Sequence, residues 1–157
     1  MTLPLSRNPE RLDKLVDECL EACLRDRAMD RTGTLPEITR HISPGIPEFP
    51  MDRDLIKEAL ASLIREAATR LAPPARLRVT VKANRNALMF AVKAPGEGLD
   101  EARREKLFAG EPVAGSLARV RLIIAAHGGV AWTNGLPGKG ITYYFSLPIR
   151  QAAAPHA

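Results

Sequence analysis

Aromatic residues are nearly missing from this chain of 157 residues: one Trp, two Tyr and four Phe make up 4% of it. That scarcity removes most of the stacking surfaces a base-reading protein uses. It also leaves the core to be built from Leu, Ile, Val and Ala. Cysteine is scarcer still. Cys19 and Cys23 are the two, spaced i, i+4, and with no CxxC and no His pair at ligand spacing they argue against a zinc site. On a helix they share a face with Leu12, Leu15, Val16 and Leu20, where two small buried hydrophobes fit well and an intrahelical disulfide fits poorly. No apolar run approaches the ~18–20 residues of a spanning helix. Met1–Glu10 lacks the apolar stretch and small-residue cleavage site of a signal peptide, so a cytoplasmic protein without membrane contact is expected. A long run of like charge is absent too. The net charge is +5 and the pI about 9.6, yet the bases alternate with acids, as in DEARREKL at 100–107. Nucleic acid is therefore set aside as a partner.

What is present reads as one globular domain, 45% hydrophobic and 26% charged. Residues 1–8 are expected as an N-terminal extension, 9–150 as the domain, and the Ala-rich 151–157 as a disordered tail. Apolar positions 12, 15, 16, 19, 20, 23 and 24 recur at helical spacing and predict a helix over 9–27, with Asn8 and Pro9 at its start. A short strand is expected at 36–43, then a Pro-rich loop at 44–50. The spacing of Leu55, Ile56, Ala59, Leu60, Leu63, Ile64 and Ala67 predicts a second helix over 52–71. Alternation predicts strands at 76–83 and 87–94 joined by Asn84-Arg85-Asn86. A short charged helix ending at Phe108 and a third main helix over 116–126 follow. That helix stops at His127-Gly128-Gly129, a glycine C-cap signal. Strands at 130–134 and 141–149 close the chain around a turn at 135–140. The order predicts an α/β two-layer sandwich, with three main helices on one face of a mixed, largely antiparallel five-stranded sheet.

The stretch ARVRLIIAAHGGVAWTNGLPGKGITYYFSLPI at 118–149 resembles the end of a sensor histidine kinase catalytic domain. Ala126-His127-Gly128-Gly129, Pro137-Gly138-Lys139-Gly140 and Leu147-Pro148 occur in the family's order and spacing. Upstream, DRDLIKEALASLIREAATRL is similar to the family's Asn-box helix, RLRVTVKANRNALMFAVKAPGEGL to the hairpin before its first glycine box, and KLFAG to its Phe box. The resemblance covers about residues 9–150. It implies the ATP-binding fold shared by gyrase, Hsp90, histidine kinases and MutL.

Residue by residue, the same resemblance implies a nucleotide site that has lost parts. Glu66 stands where the family's magnesium-binding Asn is expected. Ala94-Pro95-Gly96-Glu97-Gly98 keeps both glycines of the first glycine box and replaces the Asp that accepts a hydrogen bond from adenine. Ala114 and Ser116 flank Gly115 where two phosphate-approaching glycines are expected, and Ser116 reads instead as a helix N-cap. Only residues 109–114 remain for a lid, and no His sits in an HExxTP-like phospho-acceptor motif: His41 falls on a strand, His127 at a helix end, His156 in the tail. The expectation is a stand-alone, degenerate kinase-type domain, more a pseudo-kinase than an enzyme, that binds a response regulator, a kinase or a phosphotransfer protein. Arg103, Arg104, Lys106, Phe108, Arg119 and Arg121 are its candidate contacts, and no cofactor is expected. The alternative is an atypical histidine or anti-sigma-type kinase domain that still binds ATP with Mg²⁺ through Glu66, Ala94, Gly96, Gly98, Gly115 and Ser116.

Overall fold

A computed structural model describes residues 5, 8–25, 37–46, 48–69, 76–94, 115–136 and 140–149. Three helices, α1 (Leu12–Arg25), α2 (Arg53–Thr69) and α3 (Gly115–Ala126), cover one face of a five-stranded sheet. The sheet contains β2 (Glu37–Ile42), β4 (Arg76–Ala83), β5 (Ala87–Ala94), β6 (Val130–Leu136) and β7 (Gly140–Pro148), in the order β2-β4-β5-β7-β6. β2 runs parallel to β4 and every other pairing is antiparallel. This is the two-layer α/β sandwich that the sequence predicts.

Two short strands depart from the sequence reading. β1 (Asn8–Glu10) pairs antiparallel with β3 (Phe49–Met51), so Asn8 and Pro9 form a strand rather than a helix start, and the end of the expected Pro-rich loop is its partner. Pro9 faces Pro50 in that register. Two prolines can oppose each other only where the ladder asks neither nitrogen for a hydrogen. Buried Phe49 and Met51 then anchor β3 in the core. Glu10 and Glu18 both pair with Arg53, the former at 3.7 Å, which ties β1 and α1 to the first turn of α2. β6 also runs two residues further than expected, because Gly135 and Leu136 continue the ladder with Ile141 and Gly140.

α1 buries Leu12, Leu15, Val16, Cys19, Leu20 and Cys23, as its spacing predicts, and both cysteines are free thiols. The inward sides of the strands are Leu, Val and Ile, as expected. The centre, however, is aromatic: Phe90 and Phe145 oppose each other across β5 and β7 with ring centroids 4.5 Å apart, and Tyr143 is fully buried beside them. Three of the seven aromatic residues are thus spent at the middle of the sheet, where an offset-stacked pair adds to simple area burial.

The β4–β5 turn is held by Asn84, whose Oδ1 accepts hydrogen bonds from the backbone N–H of Asn86 (2.7 Å) and Ala87 (2.8 Å). α2 begins at an Asp cap: Asp52 Oδ1 accepts from the Leu55 N–H at 3.2 Å. α3 ends in a Schellman motif. The Gly129 N–H bonds the Ile124 carbonyl at 2.8 Å, the Gly128 N–H bonds the Ala125 carbonyl at 2.9 Å, and Gly128 supplies the required left-handed turn at φ 81°.

Candidate functional site

The helical layer has a direction, and it gathers the candidate residues at one end. His127, just past α3, accepts a hydrogen bond at Nε2 from the Asp52 N–H (3.1 Å), at the start of α2. Further along, Arg119 of α3 pairs with Glu58 of α2, its Nη2 donating to Oε1 at 3.2 Å. The two helices are therefore antiparallel, and the amino end of α3 lies toward the carboxyl half of α2. Glu66 is in that half, half-buried and one position before the core residue Ala67. β4 starts a short connection after α2, and β5 returns antiparallel to it, so the last residue of β5, Ala94, comes to the same end. Ala94 is 1% exposed and faces Ile141 across the ladder. Residues 95–114 bridge Ala94 and Gly115.

Gly115 and Ser116 both occupy the first turn of α3. Ser116 thus lies inside the helix rather than capping it. The amide groups of that turn carry the positive end of the helix dipole and lie toward the end that holds Glu66 and Ala94. A hard carboxylate donor, a buried methyl and a set of amides are what these four residues offer. Gly96, Gly98, Arg103, Arg104, Lys106, Phe108 and Ala114, the short charged helix and the lid all fall outside the described residues, as does His156. Among the described residues, no group of three or more His, Cys, Asp or Glu is arranged to hold a metal ion.

The histidines within the described residues have separate surroundings. His41 is exposed on β2. His127 is buried at 5% exposure, with Nδ1 2.9 Å from the Ile123 carbonyl and Nε2 accepting from Asp52. Those two bonds fix a neutral ring with its proton on Nδ1. Its role is to join the end of α3 to the start of α2, which accounts for a His at this point of the motif in mechanical terms. Of the candidate contact residues, Arg121 is exposed, and Arg119 is engaged by Glu58, whose hydrogen bond and charge hold the guanidinium above its ordinary pKa.

The sequence pattern of the histidine kinase-, DNA gyrase B-, and HSP90-like ATPases matches residues 51–151. The chain belongs to that family. Its α2-to-β7 portion, including Glu66, Ala94 and the start of α3, lies within the match. Among curated proteins, the ATPase domain is 23% identical over 150 residues to the adaptive-response sensory kinase SasA of Crocosphaera subtropica, covering 88% of this chain and 37% of SasA. The chain thus spans little more than a third of that relative's length. Among solved structures, full-length ShkA in complex with AMPPNP superposes with a TM-score of 0.81 at 25% identity, over 99% of this chain and 34% of ShkA. The nucleotide-free catalytic domain of the histidine kinase ThkA gives a TM-score of 0.77 at 22% identity, covering 92% of this chain and 97% of that one. ThkA solved with the response regulator TrrA gives 0.72 at 21% identity, over 92% of this chain and 42% of that one. Of these, ThkA is a histidine kinase and SasA a sensory kinase. Among the described residues, no helix of the ATPase domain is long and apolar enough to cross a membrane.

Proposed function

We propose that this ATPase-family domain is a degenerate histidine-kinase-type module that acts by binding another protein of a two-component or phosphorelay pathway. The partner would be a response regulator, a kinase or a phosphotransfer protein. The observation that carries this reading is Ala94. It stands where the resemblance calls for an adenine-accepting Asp, and it presents only a buried methyl. Losing a buried specificity partner costs roughly 1–3 kcal/mol, about ten- to a hundredfold in affinity. The residues fit the family's Mg²⁺–nucleotide only in part: Glu66 offers oxygen to a cation but adds negative charge beside phosphates, and Ala94 offers adenine nothing. ThkA, solved with a response regulator, supports the choice of partner class. Arg103, Arg104, Lys106, Phe108, Arg119 and Arg121 are the proposed contacts, and Arg119 is held in place by its pair with Glu58.

A second reading keeps nucleotide binding without the adenine contact. It is favoured by the placement of Glu66 at the same end as the amino terminus of α3, and by the AMPPNP bound to ShkA. In that case Glu66 would hold the Mg²⁺, and Gly96, Gly98, Gly115 and Ser116 would lie along the phosphates. Calorimetric titration with Mg-ATP and with ADP at near-physiological salt separates the two readings. No heat and no rise in melting temperature is the expected result, and it overturns the second reading. Binding tighter than ~100 µM, about 5.5 kcal/mol, overturns the first, and Glu66→Ala would then weaken Mg-ATP binding tenfold or more.

A further inference from the structure

The helices cover one face of the sheet, and the other face carries its own pattern. Side chains alternate across a strand, so the outward column of β4 is Arg78, Thr80 and Lys82, while Val79 and Val81 point into the core. The register aligns this column with the outward residues of the next strands. Arg78 faces Lys93 of β5, Thr80 faces Ala91, and Ala91 faces Tyr144 of β7, which in turn faces Trp132 of β6. Arg78, Lys82 and Lys93 are exposed and make no ion pair among the described residues. Glu37 is the one acid in the outward columns of β2, β4, β5, β6 and β7, and it is engaged by Arg76 at 3.2 Å. Two cations directly opposite each other on neighbouring strands, Arg78 and Lys93, are destabilising in an isolated sheet. Beside them a shallow hollow of about 460 Å³ opens between β2 and β4.

The far side of the face carries an apolar patch of Val130, Trp132 and Tyr144, bordered by Asn134, Thr142 and Ser146. Val130 is 60% exposed and Trp132 36% exposed, and Trp132 stacks on Tyr144 with centroids 5.0 Å apart and planes 9° from parallel. Each ring covers one face of the other, and the exposed remainder of the pair offers aliphatic side chains an apolar surface to pack on. From the cationic column on β4 to the Trp132 column on β6 is three strand spacings, about 14 Å. That width seats one α-helix of about 10–12 Å over the small floor residue Ala91.

We infer that the open face of the sheet is a docking site for an acidic amphipathic helix of a partner protein, its carboxylates over Arg78, Lys82 and Lys93 and its apolar residues against Tyr144 and Trp132. This face lies across the sheet from Glu66 and α3, so the inference stands apart from the nucleotide question. Trp132 is the only tryptophan of the chain, and its emission reports the face directly. The probe is a helical peptide of about 18 residues, five turns, with Glu on one face and Leu on the other. Titration is expected to give a saturable blue shift that weakens with salt, is unchanged by Mg-ATP, and falls at least tenfold in affinity in Arg78→Glu/Lys82→Glu. Lys93→Glu, on the neighbouring strand, should show the same loss and serves if the double variant does not fold. The same peptide with Lys in place of Glu should not bind. The inference is overturned by unchanged affinity in folded charge-reversed protein, by no spectral shift, by tighter binding of a single-stranded oligonucleotide of equal charge, or by a shift with protein concentration alone.

Discussion

At the residue scale, the clearest constraint lies at the end of α3, where the His-Gly-Gly sequence does three separate mechanical jobs. His127 bridges two helices, Gly128 takes a left-handed conformation, and Gly129 lets β7 approach. A Cβ built on Gly129 would sit 1.9 Å from the Ser146 carbonyl oxygen, a backbone atom that cannot swing aside. Gly45 differs: its φ is +80°, but nothing lies within 4 Å of an added Cβ. The two sites separate steric cost from conformational cost. Gly45→Ala should cost only the left-handed preference of an L-residue, about 1 kcal/mol. Gly129→Ala must displace a ladder strand and should cost at least ~2 kcal/mol, a fall in melting temperature of roughly 4–8 °C for a chain of this size. Differential scanning calorimetry of both variants checks this, and equal falls would mean the approach of β7 is soft. The motif was visible in the sequence as a helix stop. That it also serves as a bridge and a close-approach point was not, because Asp52 and Ser146 are remote in sequence and only the packed helices and sheet bring them there.

At the scale of elements, legibility followed length and period. β4 and β5 alternate over eight residues each, and α1 and α2 repeat their apolar positions through several turns, so pattern alone located them. β1 and β3 are three residues long, too short for a period, and Pro9 and Pro50 read locally as breakers. Their pairing is a tertiary fact, fixed by the burial of Phe49 and Met51. The cysteines of α1 were legible by the same periodicity. Cys19 Sγ lies 3.6 Å from the Lys57 carbonyl, and its hydrogen bond with Cys23, together with burial, pushes its thiol far above the ordinary range. The native thiols should therefore resist a disulfide reagent at pH 8 and react within the dead time in denaturant. Rapid native reaction would mean that α1 opens on its own. A thiol that titrates higher folded than unfolded favours the folded state fully below the unfolded value of ~8.5, and this contribution is lost as pH rises above it. Urea midpoints should accordingly decline above pH 8.5, and Cys19→Ala should flatten that decline.

At the scale of the whole molecule, the end formed by Glu66, Ala94 and α3 was legible only through resemblance. The open sheet face was legible in principle, since Arg76, Arg78, Thr80 and Lys82 all fall on one parity of β4. Its meaning required the register that sets this column beside β5, β7 and β6. That register also makes the fold a single mechanical unit. α1 packs near β2 at one edge of the sheet, where Arg40 of β2 pairs with Asp17 of α1 at 2.8 Å. Trp132 lies on β6 at the opposite edge. Between them one continuous cluster of buried side chains runs from Leu12 to Leu147 without a seam, and chains joined by one core unfold in a single transition. Two probes already stand at the two edges: the emission of Trp132 and the reactivity of Cys19 and Cys23. In urea both should report the same midpoint and the same slope, because neither edge can lose its packing while β4, β5 and β7 hold theirs. If the thiols become reactive at lower urea than Trp132 changes, α1 with β2 is a separately opening unit. Because the helical end and the sheet face share this core, a ligand on either face that binds only the folded chain should move both probes together, by an amount set by its concentration relative to Kd.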